Sequence, residues 1–424
     1  MRRLLAVTFF TGVLTLFKMI AGFIIAKIVA VYTGPTGMVL LGQIQSIVTG
    51  LNGIVNAPVG SGVVRYTAEN LDNGIDDCIP WWRASIRWGV ILISILIPMV
   101  LIISPYLAKN ILGNSEYTWI IIVTALALPF GALGTFIISI LNGFQKYKIY
   151  VLLGLLSTFI STLVMVALIF LKGISGALVA VAIQYAIVGM VMAGFINQQK
   201  WFFWKNVWGK AHRYYMRGIG GYILMAITSA VIAPISLILI RNIIIHYSGW
   251  SEAGYWQAVW KISETYLLVI TLALGTYFLP RLTTLKNNVE IFNEVNKTAL
   301  LIFPIVCCCS LMIFLLRDTI ISLLFTKDFQ VARMFFPVQL IGDILKIISW
   351  VYAYVMISKG MTKTFIFSEI LFGALFVLLA FVFVKQYGTI GASFAYVLNY
   401  FFYFLFSFLL IYFNRNKNDT PIFY

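Results

Sequence analysis

Charged side chains are scarce in this sequence. They fill 10% of its 424 positions, against about 25% in soluble domains, so a water-facing globular fold is excluded. Histidine is nearly absent, with only His212 and His246, and zinc centres need more ligands in closer spacing. The four cysteines give no framework either. Cys307, Cys308 and Cys309 share one apolar run, and Cys78 stands alone between runs in what reads as a loop. No nucleophile–base arrangement is visible, so catalytic residues are not expected. The first apolar run, residues 4–33, is too long for a cleavable signal peptide and lacks a small-residue cleavage site.

What is present is apolar length. Hydrophobic residues make up 61% of the chain, and a membrane helix needs about 20 of them in a row. Roughly twelve such runs fit, near residues 4–33, 38–64, 84–106, 118–141, 149–171, 175–197, 218–247, 253–279, 298–316, 333–358, 364–384 and 389–413. The fold class expected is an all-α polytopic membrane protein of two six-helix lobes. Of the 30 Lys and Arg residues, 19 fall in loops on one side, 6 on the other and 5 inside the runs. Positive residues stay cytoplasmic, so both termini are placed in the cytoplasm. The net charge of +16 is therefore topology rather than a nucleic-acid surface.

The longest polar connection, residues 200–217, interleaves aromatics with cations and suits the membrane interface. It divides the chain into an N-terminal lobe (1–199) and a C-terminal lobe (218–424). The lobes look like copies. Gly37 matches Gly254, Arg65 matches Arg281, Gly143 matches Gly360, Lys146 matches Lys363 and Gly176 matches Gly391, at offsets of 215–217 residues. Lys27 and Arg241 fall near the same offset. An even number of helices per copy makes the repeat parallel, and transporters of that design carry cargo between their repeats.

Eight ionisable residues lie inside the runs: Lys18, Lys27, Arg241, Lys261 and Lys346 against Glu264, Asp343 and Glu369. A charge at membrane depth costs roughly 2.5–3.5 kcal/mol or more and is functional by default. The bland alternative pairs Lys261 with Glu264 and Asp343 with Lys346, each three apart on one helical face, and lets Lys27 and Arg241 snorkel to the periplasmic interface. Gln43, Gln45, Asn52 and Asn56 add a polar face to the second run. The excess of cations suits an anionic cargo. The acids serve either as carriers of a coupling proton or sodium ion or as counter-ions.

Three blocks resemble a known family: residues 256–267, the Tyr277-Phe-Leu-Pro-Arg-Leu282 end of the eighth run, and Val338-Gln-Leu-Ile-Gly-Asp-Ile-Leu-Lys346. They are similar to the Wzx-type flippases of the multidrug/oligosaccharidyl-lipid/polysaccharide exporter superfamily. The nearest branch carries lipid III for enterobacterial common antigen, together with related O-antigen units. Lys18, Lys27, Gly34-Pro-Thr-Gly37 and Val64-Arg65-Tyr66 agree with that branch, whereas Lys261 departs from it.

The resemblance implies a MATE/Wzx-like fold working by alternating access in the bacterial inner membrane without a cofactor. The implied cargo is an undecaprenyl-diphosphate-linked oligosaccharide. By position in that branch Lys18, Lys27, Arg241 and Lys261 would attract its diphosphate, and Gln43, Asn52 and Arg65 are added to the expected binding set. Glu264, Asp343 and Glu369 would be ion-coupling residues, and Lys346 would form a structural ion pair. Polymerase and chain-length proteins of the same pathway are the implied partners. The alternatives are a cation-coupled multidrug exporter, whose cationic cargo the cation excess disfavours, and a membrane-embedded glycan polymerase or ligase.

Overall fold

A computed structural model describes residues 2–199 and 202–415. Lys200 and Trp201, at the start of the interfacial connection, and the segment containing Lys417 lie outside the described residues. Among those described, the regular elements are all helical. They run α1 (Arg2–Asn56), α2 (Ser61–Asn70), α3 (Ile75–Ile111), α4 (Thr118–Gly143), α5 (Tyr147–Ile196), α6 (Trp204–Val207), α7 (Arg213–Ser248), α8 (Trp250–Ala273), α9 (Leu279–Thr284), α10 (Asn288–Leu324), α11 (Phe336–Ser358), α12 (Thr362–Tyr387) and α13 (Ile390–Asn414). A π turn, Leu274–Phe278, joins α8 to α9.

Among the described residues, ten stretches are long and apolar enough to cross a membrane. Two of them are double. α1 is broken at Gly34 (φ 64, ψ −162) and α5 at Gly173 (φ 59, ψ −132), so the described residues hold twelve helical segments of spanning length. α3 and α10 have 37 residues each, or about 55 Å at 1.5 Å per residue. Each therefore outruns a hydrocarbon layer of about 30 Å, and their polar ends project into the interfaces. Leu300, Leu301, Leu311 and Leu315 on α10 remain exposed, as lipid-facing residues can.

The second expected run is shorter than its hydropathy suggests. α1 stops at Asn56, and Arg65 sits on the separate α2. Pro58 removes a helix donor, and Ser85 Oγ instead donates to its carbonyl at 2.7 Å. Cys78 also differs from expectation. It lies buried in the first turn of α3, with its thiol toward the carbonyls of Thr67 and Gly74.

The chain packs as two compact units, one of residues 1–33 and 40–235, the other of residues 34–39 and 236–424. In the first, Val63, Cys78, Trp82, Phe136, Ile140 and Ile196 form one core, and Trp82 Nε1 donates to Thr67 Oγ1 at 2.8 Å. In the second, Trp256, Trp260, Phe376 and Tyr396 form another.

The internal repeat is visible in its turns. Gly34 and Gly249, Gln145 and Gly360, and Gly173 and Gly388 all have positive φ, each pair 215 residues apart. The helix ends at Gln145 and Gly360 also share their hydrogen bonds. Lys146 N donates to Leu141 O, and Met361 N donates to Met356 O, the 6→1 bond of a Schellman turn. This register replaces the Gly143–Gly360 and Lys146–Lys363 matches read from sequence. It also sets Arg241 against Ala26, one residue from Lys27. Arg241 and Ala26 are both buried, while Lys27 and Asn242 are both half-buried. Three residues after the last turn pair, Gly176 and Gly391 meet a backbone carbonyl so closely that a Cβ would lie 1.9 Å from Leu168 O and 2.2 Å from Phe383 O.

Candidate functional site

In the second unit, α7, α8, α11 and α13 bring the charged residues of the sequence blocks together. Asp343 is fully buried. Its carboxylate accepts from Ser263 Oγ at 2.7 Å and Tyr266 OH at 2.8 Å on one oxygen, and from Tyr396 OH at 2.9 Å on the other. A carboxylate offers about four lone-pair sites, so three hydroxyls occupy most of them. Tyr266 OH also lies 3.3 Å from Ser310 Oγ, which extends the network to α10.

Lys346, one turn from Asp343, makes no direct ion pair among the described residues. The structural pair expected for it with Asp343 is therefore not a direct contact. Its ammonium sits instead over four rings, 5.1 Å from Trp350, 5.4 Å from Trp260, 5.5 Å from Tyr400 and 5.7 Å from Tyr396. Cation–π contacts are worth about 0.5–1 kcal/mol exposed and 2 or more when desolvated. Four faces around one ammonium make a box for the charge, with the Asp343 and Glu264 carboxylates near enough to favour it electrostatically.

The spacing in α8 gives the same result. Lys261 and Glu264 form no direct ion pair. Glu264 is exposed and accepts from Trp260 Nε1 at 2.8 Å, while Lys261 is half-buried. Arg241 is buried, and its Nε donates to Gln257 Oε1 at 2.6 Å. Glu369 lies half-buried on α12.

The first unit holds the other cations. Lys18 is exposed, yet lies about 150° round α1, at 100° per residue, from the exposed apolar stripe of Leu16, Ile20 and Ile24. It therefore does not face the direction of that stripe. Lys27 is half-buried and Gln43 fully buried. The Asn52 amide donates to Val48 O at 3.0 Å. Asn52 Oδ1 and Asn56 Oδ1 are buried acceptors without a hydrogen-bond partner among the described residues, one turn apart on α1. Asn52 Oδ1 packs against Gly131, where an added Cβ would lie 2.4 Å from it. Arg65 is exposed on α2 and pairs with Glu69 at 2.7 Å.

Residues 82–334 match the family described as "Polysaccharide biosynthesis protein". The chain belongs to that family. Along its length it is also 28% identical to the lipid III flippase of Escherichia coli (strain K12), over 93% of this chain and 94% of that one. The resemblance to Wzx-type flippases read from the 256–267, 277–282 and 338–346 blocks is thereby borne out.

Solved structures with this architecture include an inward-facing MATE-family multidrug transporter of the MOP superfamily, with a TM-score of 0.77, 16% identity and 96% of each chain covered. Another is the lipid II flippase MurJ in an inward closed conformation, with a TM-score of 0.69, 17% identity, and 99% of this chain and 94% of that one covered. At such identity these two establish the fold, that of a polytopic all-α membrane transporter.

Within this family member, Asp343, Lys346, Lys261 and Glu264 were legible in the sequence as intramembrane charges. Ser263, Tyr266, Gln257, Tyr396 and Tyr400 were missed. Ser263 and Tyr266 lie three apart, one helical turn, and a polar pair beside Glu264 was the available signal. Nothing local marks Tyr396 or Tyr400, which reach Asp343 and Lys346 only through the packing of α13 on α11.

Proposed function

We propose that this protein is a flippase. It turns an undecaprenyl-diphosphate-linked oligosaccharide, an O-antigen unit or lipid III, from the cytoplasmic to the periplasmic leaflet of the bacterial inner membrane. The observation that carries the reading is the end-to-end similarity to a lipid III flippase, joined to family membership. The five intramembrane cations against three acids support an anionic diphosphate. Both termini cytoplasmic, lobes of residues 1–199 and 218–424 joined by the 200–217 connection, alternating access, and cooperation with the polymerase and chain-length proteins belong to the same proposal.

Among the acids, the hydrogen bonding separates the roles. Asp343 is engaged by three hydroxyls, so a coupling cation would have to displace them. Glu264 is exposed with one indole donor and is the acid better disposed to take a proton or sodium ion. By charge, Lys18 in the first unit and Arg241 in the second are each proposed to attract an anionic cargo.

Deleting the gene tests the function. Undecaprenyl-diphosphate-linked units should accumulate inside the cell and surface glycan should be lost. Intact glycan with new drug sensitivity would replace this reading with multidrug export. Lys18→Ala and Arg241→Ala should each lower complementation at unchanged protein level, and full complementation by both would remove the cation assignment.

A further inference from the structure

The first unit contains a cavity that the intramembrane charges do not use. It is an open groove of about 970 Å³, lined by three guanidinium groups, Arg65 on α2 and Arg213 and Arg217 on α7. Arg213 and Arg217 are one turn apart at the start of a 36-residue helix. His212 stands beside them at the rim. Glu69, bonded to Arg65, is the one acid of the lining, so cations remain in excess.

The walls are fixed. Tyr66 stacks on Trp81 with ring centroids 3.5 Å apart and planes within 6°. Tyr214 tilts against the same indole at 5.8 Å. Trp88 Nε1 donates to Met216 O at 3.0 Å, which ties the first turns of α7 to α3. A merely solvated basic face would not need an aromatic wall.

The chemistry of this lining is specific. A guanidinium fork matches phosphate oxygens bidentately, and the N-terminus of a long helix adds partial positive charge. Aromatic rings settle at the membrane interface, where one edge is wet and the other apolar. The volume falls in the range of small-molecule sites, about 300–1,000 Å³, enough for a diphosphate and an attached sugar.

We infer that this pocket docks the phosphoryl head group of a membrane lipid on the Lys/Arg-rich face of the protein. That the lipid is the isoprenyl diphosphate carrier rests on the flippase reading; recognition of the phosphoryl group does not. Docking here would hold the head group at the interface ahead of any movement across the membrane.

The test uses the full chain in phosphatidylcholine nanodiscs and a photoreactive analogue of farnesyl diphosphate, with labelled peptides mapped by mass spectrometry. Labelling should fall on residues 61–70 and 212–218 and be competed by farnesyl diphosphate. The Arg213→Ala/Arg217→Ala double variant should reduce it about ten-fold or more, and Arg213→Lys/Arg217→Lys should restore part of it. Competition by phosphatidylglycerol as strong as by farnesyl diphosphate sustains the site and makes anionic phospholipid its occupant.

Labelling confined to other segments, or undiminished in a double alanine variant that elutes as the wild type does, overturns the inference. If labelling behaves as expected but gene deletion leaves surface glycan intact, the site stands and the flippase reading falls. If deletion abolishes glycan while these segments stay unlabelled, the flippase reading stands and the site falls.

Discussion

Substituting Asp343→Asn tests whether this residue is a charged keystone of the second unit. The carboxylate accepts three hydroxyl hydrogen bonds in a site closed to solvent. Bonds to a charged acceptor contribute about 1.5–3 kcal/mol each and neutral ones about 0.5–1.5. An asparagine keeps the shape but removes the charge, weakening each bond by about 1 kcal/mol. Its amide also leaves Ser263 and Tyr266, which share one oxygen, competing with a donor where they had an acceptor. The expected loss is about 3 kcal/mol, a large part of the 5–15 kcal/mol of a typical domain.

Tyr396→Phe alone should cost about 2 kcal/mol. In the Asp343→Asn background it should cost at least about 1 kcal/mol less, because the two residues share one network. Reversible unfolding in mixed detergent, followed by tryptophan fluorescence, measures both values and their coupling. An Asp343→Asn variant within about 0.5 kcal/mol of wild type, or strictly additive costs, would refute the reasoning. The carboxyl would then have to be neutral in the resting protein, and free to take part in ion coupling.

Three further outcomes follow from the same geometry. Gln145 is the only non-glycine residue of positive φ among those described, and glycine stands at its repeat partner Gly360. Gln145→Gly should therefore stabilise the protein by up to about 1 kcal/mol in the same unfolding assay. Gly391→Ala would place a methyl group 2.2 Å from Phe383 O, so α12 and α13 must separate; the amount of monodisperse protein after detergent extraction should fall sharply, and Gly176→Ala should do the same through Leu168. Lys346→Met keeps the stem but empties the aromatic box of its charge, and should cost about 1–3 kcal/mol by unfolding, with Lys346→Arg milder; equal stability of the methionine variant would show the box is not held by the cation.

Most of the architecture was written in one-dimensional patterns. Apolar runs set the crossings, and the breaks at Gly34 and Gly173 fall between runs that the hydropathy already separated. The repeat was also legible, but its register was not. Gly143 drew the match to Gly360 because glycine usually marks a left-handed turn, whereas here Gln145 takes that conformation. Only the backbone dihedrals and the shared Schellman bond reveal the equivalence. The apolar run over residues 38–64 concealed a break as well, because Pro58 and Gly60 lie within an otherwise membrane-like stretch.

For the site, composition identified which charges are inside the membrane and hence that their sum is positive. The family blocks then pointed to an anionic lipid-linked cargo. What the sequence suggested about pairing failed for a physical reason. Spacing of three residues places Lys346 near Asp343 and Glu264 near Lys261, but says nothing of what stands on the neighbouring helices. Tyr396 and Tyr400 from α13 and Trp260 from α8 surround Lys346, while Glu264 is engaged by Trp260 one turn away on its own helix.

The sequence by itself therefore determined the solvent, the number of crossings, the repeated halves and the sign of the interior charge, because each depends on residue type and order along one chain. Tertiary structure decided that Asp343 is satisfied by hydroxyls, that Lys346 rests in a box of rings, and that Arg65 meets Arg213 and Arg217 across nearly 150 residues of chain. Those outcomes depend on which helix faces which, and side-chain partners drawn from distant segments leave no periodic trace in the sequence.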